Sequence, residues 1–400
     1  MNRHKNRHFA LAKRWLTTTA AVLAMAPAAM AQCPTNQCTI TYSGLQYPYG
    51  IVQSNTGSLL VAEGGTPVPN TGRISIVDLA GNRRTLLNGL PSGLNDVGSP
   101  SGPSGLFMRG QTLYVAIGVG DAALAGQVPG SILANPNPSS PLFSSVLALD
   151  FSSNTENGTA GFALTLADQR MLAAGGKVTL SNRAGGDLLF IQLVANFPDY
   201  TPKPFPTAPA NVAQSNPFAL VGVADRLYVT DGGQNKIWWV DLPTGSAGTL
   251  TEFRNIPNPL FPNLGGPFEE AVPTGIAYSG GRLLVTLFRG FPFAQDMSVV
   301  EQVDPVTGTH SPFITGLNSA VGVLPLRDQA NSDYLVLVHA SFGPFFEGPG
   351  LVQRFATPNS PGAIATNCLM FPTSMVLDAK TGTLFVAEQG GRVIAIRIAP

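Results

Sequence analysis

Residues 287–293 read LFRGFPF, an apolar run that reaches Arg289, breaks at Gly290 and continues through Phe291, Pro292 and Phe293. Pro292 offers no ladder hydrogen bond and fixes its own φ, so the stretch reads as a strand end followed by a stiff loop with two aromatic rings beside a charge. That set suits a planar or anionic organic ligand. The guanidinium clamps a carboxylate or stacks on a ring, and the ring faces take an aromatic surface. The same rings can instead plug a channel mouth or pack on a neighbouring element, with Pro292 stiffening them.

Five more ionisable side chains close comparable apolar runs: Glu63, Asp121, Asp231, His339 and Glu388. In a ring of repeats such positions converge on one end, the default place for a ligand. A structural role competes. Glu63, Asp231 and Glu388 precede AEGG, TDGG and AEQGG turns, whose backbone N–H groups a carboxylate caps. His339 has general-base chemistry, but LVLVHASF is an apolar strand in which a structural histidine is the ordinary reading. His310, in PVTGTHSPF, is expected to be solvated. Glu269 and Glu270 are adjacent, so in a strand they point to opposite sides and form no acid–base pair.

The elements that position these residues recur. A Pro-x-Gly type of opening appears in YPYGIV (47–52), GPSGLF (102–107), NPFALV (216–221), VPTGIA (272–277) and FPTSMV (371–376), with a proline-free copy in NSAVGV (318–323). Each is followed by a strand such as GSLLVAEGG or DRLYVTDGG, then by another such as GRISIVDL or NKIWWVDL. Short Val-, Leu-, Ile- and Tyr-rich runs bounded by Gly, Asp or Asn are strands, and a period near 50 residues is that of propeller blades. Six phrases predict an all-β, six-bladed propeller over 32–400. The long gap after the second phrase is read as an insertion at about 157–186 plus that blade's outer strand, with a seventh blade as the alternative. The last phrase lacks a fourth strand, and CTITYSGL (38–45) can supply it, closing the ring and removing open sheet edges.

Charged residues are 12% of the 400, the formal net charge is zero, and no basic run follows the N-terminus, so nucleic acid is not an expected partner. Residues 1–31 read as a signal peptide: MNRHKNRHFALAKR is basic, LTTTAAVLAMAPAAM apolar, and Ala29-Met30-Ala31 fits cleavage before Gln32. No later run suits a membrane helix, so a periplasmic or secreted protein is expected. Of three cysteines, Cys38 and Cys368 lie at the predicted seam and are expected to pair, whereas Cys33–Cys38 would close only a tiny loop. The cysteines are too few, and too poorly flanked by His, for a metal site. No HExxH, Walker loop, dinucleotide glycine fingerprint or GxSxG elbow occurs.

SNPFAL (215–220), LYVTDGGQNKIWWVD (227–241), AVPTGIA (271–277), GFPF (290–293), ITGLNSAVGV (314–323) and FPTSMVLDAKTGTLFVAE (371–388), in that order, resemble the ScyD/ScyE family of exported bacterial propellers. The resemblance implies a six-bladed ring, with some members encoded beside genes for the indole-derived pigment scytonemin, and no assigned reaction. The expectation is a non-catalytic binding or assembly protein without a cofactor, taking a small organic ligand or a protein partner. The alternative is a hydrolase like the gluconolactonase and strictosidine-synthase propellers, with a channel calcium ion. Their usual Glu-Gly-Pro opening of blade one is misplaced here, at Glu347-Gly348-Pro349. A quinone-dependent sugar dehydrogenase needs a basic histidine and several arginines, and only His339 and Arg289 qualify.

Overall fold

Each repeat folds into one antiparallel sheet, with the Pro-x-Gly segment as its first strand. The computed structural model describes residues 38–182, 186–327 and 333–398, so the predicted signal peptide and Cys33 lie outside the described residues. Six blades form a ring. Blade one is Pro48–Gln53, Leu59–Glu63, Gly72–Val77 and Arg83–Leu90. Blade two is Pro103–Arg109, Thr112–Ile117, Ser145–Asp150 and Leu188–Asn196. Blade three is Pro217–Val223, Arg226–Asp231, Lys236–Asp241 and Ala247–Glu252, and blade four is Pro273–Ser279, Arg282–Leu287, Ser298–Val303 and His310–Leu317. Blade five is Ala320–Pro325, Tyr334–Val338, Gly350–Phe355 and Ala363–Leu369. Blade six takes Pro372–Asp378, Thr383–Glu388 and Arg392–Arg397 from the C-terminal end, and Cys38–Ser43 as its outer strand.

Cys38 therefore pairs opposite Ile396 and Ser43 opposite Arg392, and a disulfide joins Cys38 to Cys368 of blade five. No seventh blade appears among the described residues: the stretch after Asp150 adds strands to blades one and two. It forms a short helix, Ser153–Gly158, a two-residue strand, Phe162–Ala163, and a capped helix, Leu166–Ala173, then returns through Lys177–Ser181 as a fifth strand. Phe162–Ala163 pairs in parallel with blade one's outer strand, and buried Glu156 accepts hydroxyl bonds from Ser54 and Thr56 of the same blade. The excursion thus covers an otherwise open sheet edge.

Alternation along the second strands builds the core. Leu60 and Ala62 face blade two, whereas Leu59 and Val61 face blade six. Leu283, Val285 and Leu287 face blade three, and Leu284 faces blade five. A strand buried on both sides holds two interfaces together, and each of its fully buried leucines stabilises the fold by roughly 2–3 kcal/mol.

The opening motif has a steric cause. Its third residue is Gly50, Gly105, Ala219, Gly275, Gly322 or Ser374, and all six line the narrow space on the ring axis, about 130 Å³. A Cβ on Gly50 would stand 2.1 Å from the Ser104 carbonyl oxygen, and one on Gly275 would stand 2.6 Å from Gly322 Cα. Neighbouring inner strands touch backbone to backbone, so only a small residue fits. Among the described residues no helix is long and apolar enough to cross a membrane.

Candidate functional site

The second-to-third strand loops and the connections between blades all emerge at one end of the ring, called here the upper end. Register decides what each strand exit carries. Glu63 stands opposite Pro48, Asp231 opposite Pro217 and Glu388 opposite Pro372. The equivalent residues of blades two, four and five are Ile117, Leu287 and Val338. Asp121, Arg289 and His339 therefore fall beyond the shared position, on loops of different length.

The three equivalent acids are fully buried and work on the backbone. Glu63 accepts from the Gln46 N–H at 2.5 Å, from Arg73 Nε and Nη2 at 2.8 and 2.6 Å, and from Ser75 Oγ. Asp231 accepts from the Asn216, Gly233 and Gln234 N–H groups, from Ser215 Oγ at 2.6 Å and from Trp238 Nε1 at 2.9 Å. Glu388 accepts from the Met370 N–H at 2.7 Å and Arg392 Nε at 2.5 Å. Each carboxylate pins the segment that leads into its own blade's inner strand, while a third-strand residue supplies a further donor. Asp231 alone also caps its glycine turn. Burial pushes the Asp231 and Glu388 carboxyls above the ordinary carboxylate range, against the opposing pull of those donors. Asp121 accepts from the Ser139 N–H and hydroxyl at 2.9 and 3.1 Å.

Arg289 is 7% exposed, in the left-handed backbone region at φ 76°, and its Nε donates to the Met297 carbonyl at 2.9 Å. It spans the base of the 288–297 loop. Burial lowers its pKa, and the nearby charges of Glu301 and Glu269 raise it. Glu269 is fully buried, and desolvation raises its pKa against the opposing pull of the Ala294 N–H and the Arg289 charge. Glu270 faces the other way, exposed, 2.8 Å from Lys203 Nζ. His310 is exposed, as its sequence context predicts; its Nδ1 lies 3.2 Å from Glu301 Oε2, and the ring packs edge-on against Phe253 at 4.9 Å.

Above Arg289 lies an aromatic assembly drawn from three blades. Phe293 lies 4.1 Å from Phe346, and Phe288 is within about 6 Å of Phe293, Phe346 and His339. Phe291 meets Phe293 at 6.1 Å and Phe345 at 5.8 Å, and these outer rings, Phe291 and Phe345, are 49% and 55% exposed. His339 is enclosed by Phe346 at 5.4 Å and Phe371 at 5.2 Å. Its Nδ1 donates to the Pro372 carbonyl at 2.9 Å, which leaves Nε2 as the acceptor of a neutral ring, and Nε2 has no partner among the described residues. Burial lowers the His339 pKa, with the Pro372 bond opposing. Nearer the axis, Tyr49 donates to the Pro100 carbonyl at 2.7 Å, and burial pushes its hydroxyl up to about 12.

Phe288, Phe345, Phe346 and Phe371 were not among the residues singled out from the sequence. One signal was available: GPFF at 343–346 repeats the composition of GFPF at 290–293 one blade later, after the same strand. Glu63, Asp231, Glu388, Arg289 and His339 do share an end of the ring, but only His339, Phe291 and Phe293 belong to the aromatic assembly.

No family model matches the chain, and no curated protein matches it. Solved structures do. The holo PQQ domain of pyranose dehydrogenase from Coprinopsis cinerea is 10% identical, with a TM-score of 0.50 over 90% of this chain and 95% of that one. A gluconolactonase from Xanthomonas campestris is 10% identical, with a TM-score of 0.48 over 90% of this chain and 89% of that one. A streptogramin B lyase is 13% identical, with a TM-score of 0.43 over 90% and 97%. At such identities the likeness shows the β-propeller fold alone.

Proposed function

We propose that the chain is an exported, non-catalytic binding propeller of the ScyD/ScyE type, which holds a planar aromatic molecule on the phenylalanine surface at the upper end of its ring. The observation that carries this reading is one continuous set of ring contacts, in which Phe288, Phe346 and Phe371 pack on His339, whose Nε2 is unspent, and Phe293, Phe291 and Phe345 extend it outward. Ring faces bind ring faces, and a neutral imidazole amid apolar rings accepts one hydrogen bond from the ligand. Backbone strain supports a built surface. Phe293, Phe345, Phe346 and Phe371 all have φ between 46° and 66°, a region that costs non-glycine residues about 1–3 kcal/mol.

In this reading Arg289 positions the loop and does not touch the ligand, because it is buried, its Nε is spent on the Met297 carbonyl and its charge is balanced by nearby Glu269 and Glu301. The donor set on the axis does not suit a calcium ion. Its wall carries the hydroxyls of Tyr49, Thr373 and Ser374 and no carboxylate, whereas calcium takes six to eight oxygens with carboxylates among them.

Titration calorimetry with 2-naphthol and 2-methoxynaphthalene tests the proposal. Both should bind, the naphthol more tightly through its O–H, and the Phe291→Ala, Phe345→Ala double variant should lose both without a change in melting temperature. Unchanged affinity in the double variant overturns the reading.

A further inference from the structure

A second site lies away from the aromatic surface. A cavity of about 590 Å³ opens between the hairpin Tyr200–Pro202/Val212–Gln214, the Gly233–Asn235 turn of blade three, and the segment 252–255 that leaves that blade. Its size is that of a small-molecule site. We propose that it binds a small oxyanion ligand, a carboxylate or a phosphate, held by Arg254 and Asn235.

Asn235 carries the argument. It is 7% exposed, and its left-handed backbone, φ 54°, is fixed by the Phe253 N–H donating to its carbonyl at 2.7 Å. Its Oδ1 accepts from the Val272 N–H at 2.8 Å, so the amide is oriented, and Nδ2 has no partner among the described residues. An oriented, unspent donor of a largely buried side chain on a cavity wall is a binding group, since it offers its N–H to a ligand without first breaking a protein hydrogen bond. Arg254 lines the same cavity, exposed and without an ion pair among the described residues, and its fork of N–H donors fits a carboxylate or phosphate.

The local charge is mixed. Lys203 is matched by Glu270, whereas Glu252 lines the same cavity without an ion pair among the described residues, so Arg254 is the cation left for a ligand. Gln234, the other buried amide on the wall, has its oxygen engaged by the Thr201 hydroxyl and its nitrogen by the Ala213 carbonyl.

The test is calorimetric titration of the mature protein at low salt with inorganic phosphate and, separately, with citrate. Binding of either supports the proposal and identifies the source of the anion. Arg254→Ala should weaken it about tenfold or more, the equivalent of one charge-assisted partner. Asn235→Asp keeps the acceptor for Val272 but replaces the donor with a negative charge, and should abolish anion binding while the melting temperature stays near that of the parent. Failure of both anions to bind, or affinity indifferent to both substitutions, overturns the proposal. Neither substitution touches the aromatic surface, so naphthol binding is expected to be unaffected and the two sites are tested separately.

Discussion

The two ends of the ring solve the same problem, closing a strand pair, with opposite chemistry. At the lower end, short turns begin with an aspartate that caps them locally. Asp78 accepts from the Ala80 and Asn82 N–H groups, Asp241 from Thr244, Asp304 from Val306 and Thr307, and Asp378 from Lys380. Asp304 is exposed, Asp78 and Asp241 are half-buried and Asp378 is buried, and the hydrogen bonds hold all four carboxyls below the usual range. At the upper end, Asp231 and Glu388 are buried and pushed up by desolvation, and Phe261, Phe268, Phe291, Phe342 and Phe345 stand exposed on the loops. A turn needs only its own residues, so it can be polar and local. A site needs groups from several blades, so its supports are buried and its apolar rings face outward.

The comparison breaks if the upper acids prove dispensable. Glu63→Gln removes the charge that Arg73 and Ser75 surround in a fully buried site, and is expected to cost about 3–5 kcal/mol by urea denaturation. A loss comparable to that from a lower-end substitution would erase the distinction.

Arg289→Ala sharpens the difference between support and contact. It leaves Glu269 and Glu301 without their cation and Met297 without its donor, at an expected cost of roughly 2–3 kcal/mol. An unchanged melting temperature together with lost naphthol binding would make Arg289 a contact residue instead.

The pH dependence differs in sign between the ends. A carboxyl raised in the fold favours its protonated form, so its contribution is fully present below the unfolded pKa, near 4, and is lost as pH rises through the folded value. Asp231→Asn should therefore flatten the decline of stability above about pH 4, measured as melting temperature against pH. The lower aspartates act oppositely: their contribution is present above the unfolded value and lost as pH falls through the depressed one. A steeper decline in Asp231→Asn would contradict the assignment.

The smallest effect belongs to Asp304→Asn. The amide oxygen still accepts from Val306 and Thr307 in a solvated turn, and the denaturation midpoint should not move measurably.

Much of the architecture was legible in the residues. Alternating apolar strands, glycine-bounded turns and six Pro-x-Gly openings specify blades because they are local features, repeated at a fixed period. The spare strand at 38–45 and a last repeat short of one strand specified the closure. The site was legible only in part. LFRGFPF drew attention to the loop that carries Phe291 and Phe293 into the aromatic assembly, but not to the Met297 carbonyl that Arg289 Nε binds or to the nearby charges of Glu269 and Glu301. Sequence spacing cannot align loops of unequal length, so His339 and Arg289 looked equivalent to Glu63 and are not. Phe288 meets Phe346, Phe291 meets Phe345 and His339 meets Phe371 because the ring turns three successive blade ends toward one another, and the Asn235 oxygen is fixed by blade four's backbone while its Nδ2 is left unspent. Those are long-range contacts. The sequence by itself determined the blade and the ring, through local periodicity; the tertiary structure decided which side chains are supports and which are surface.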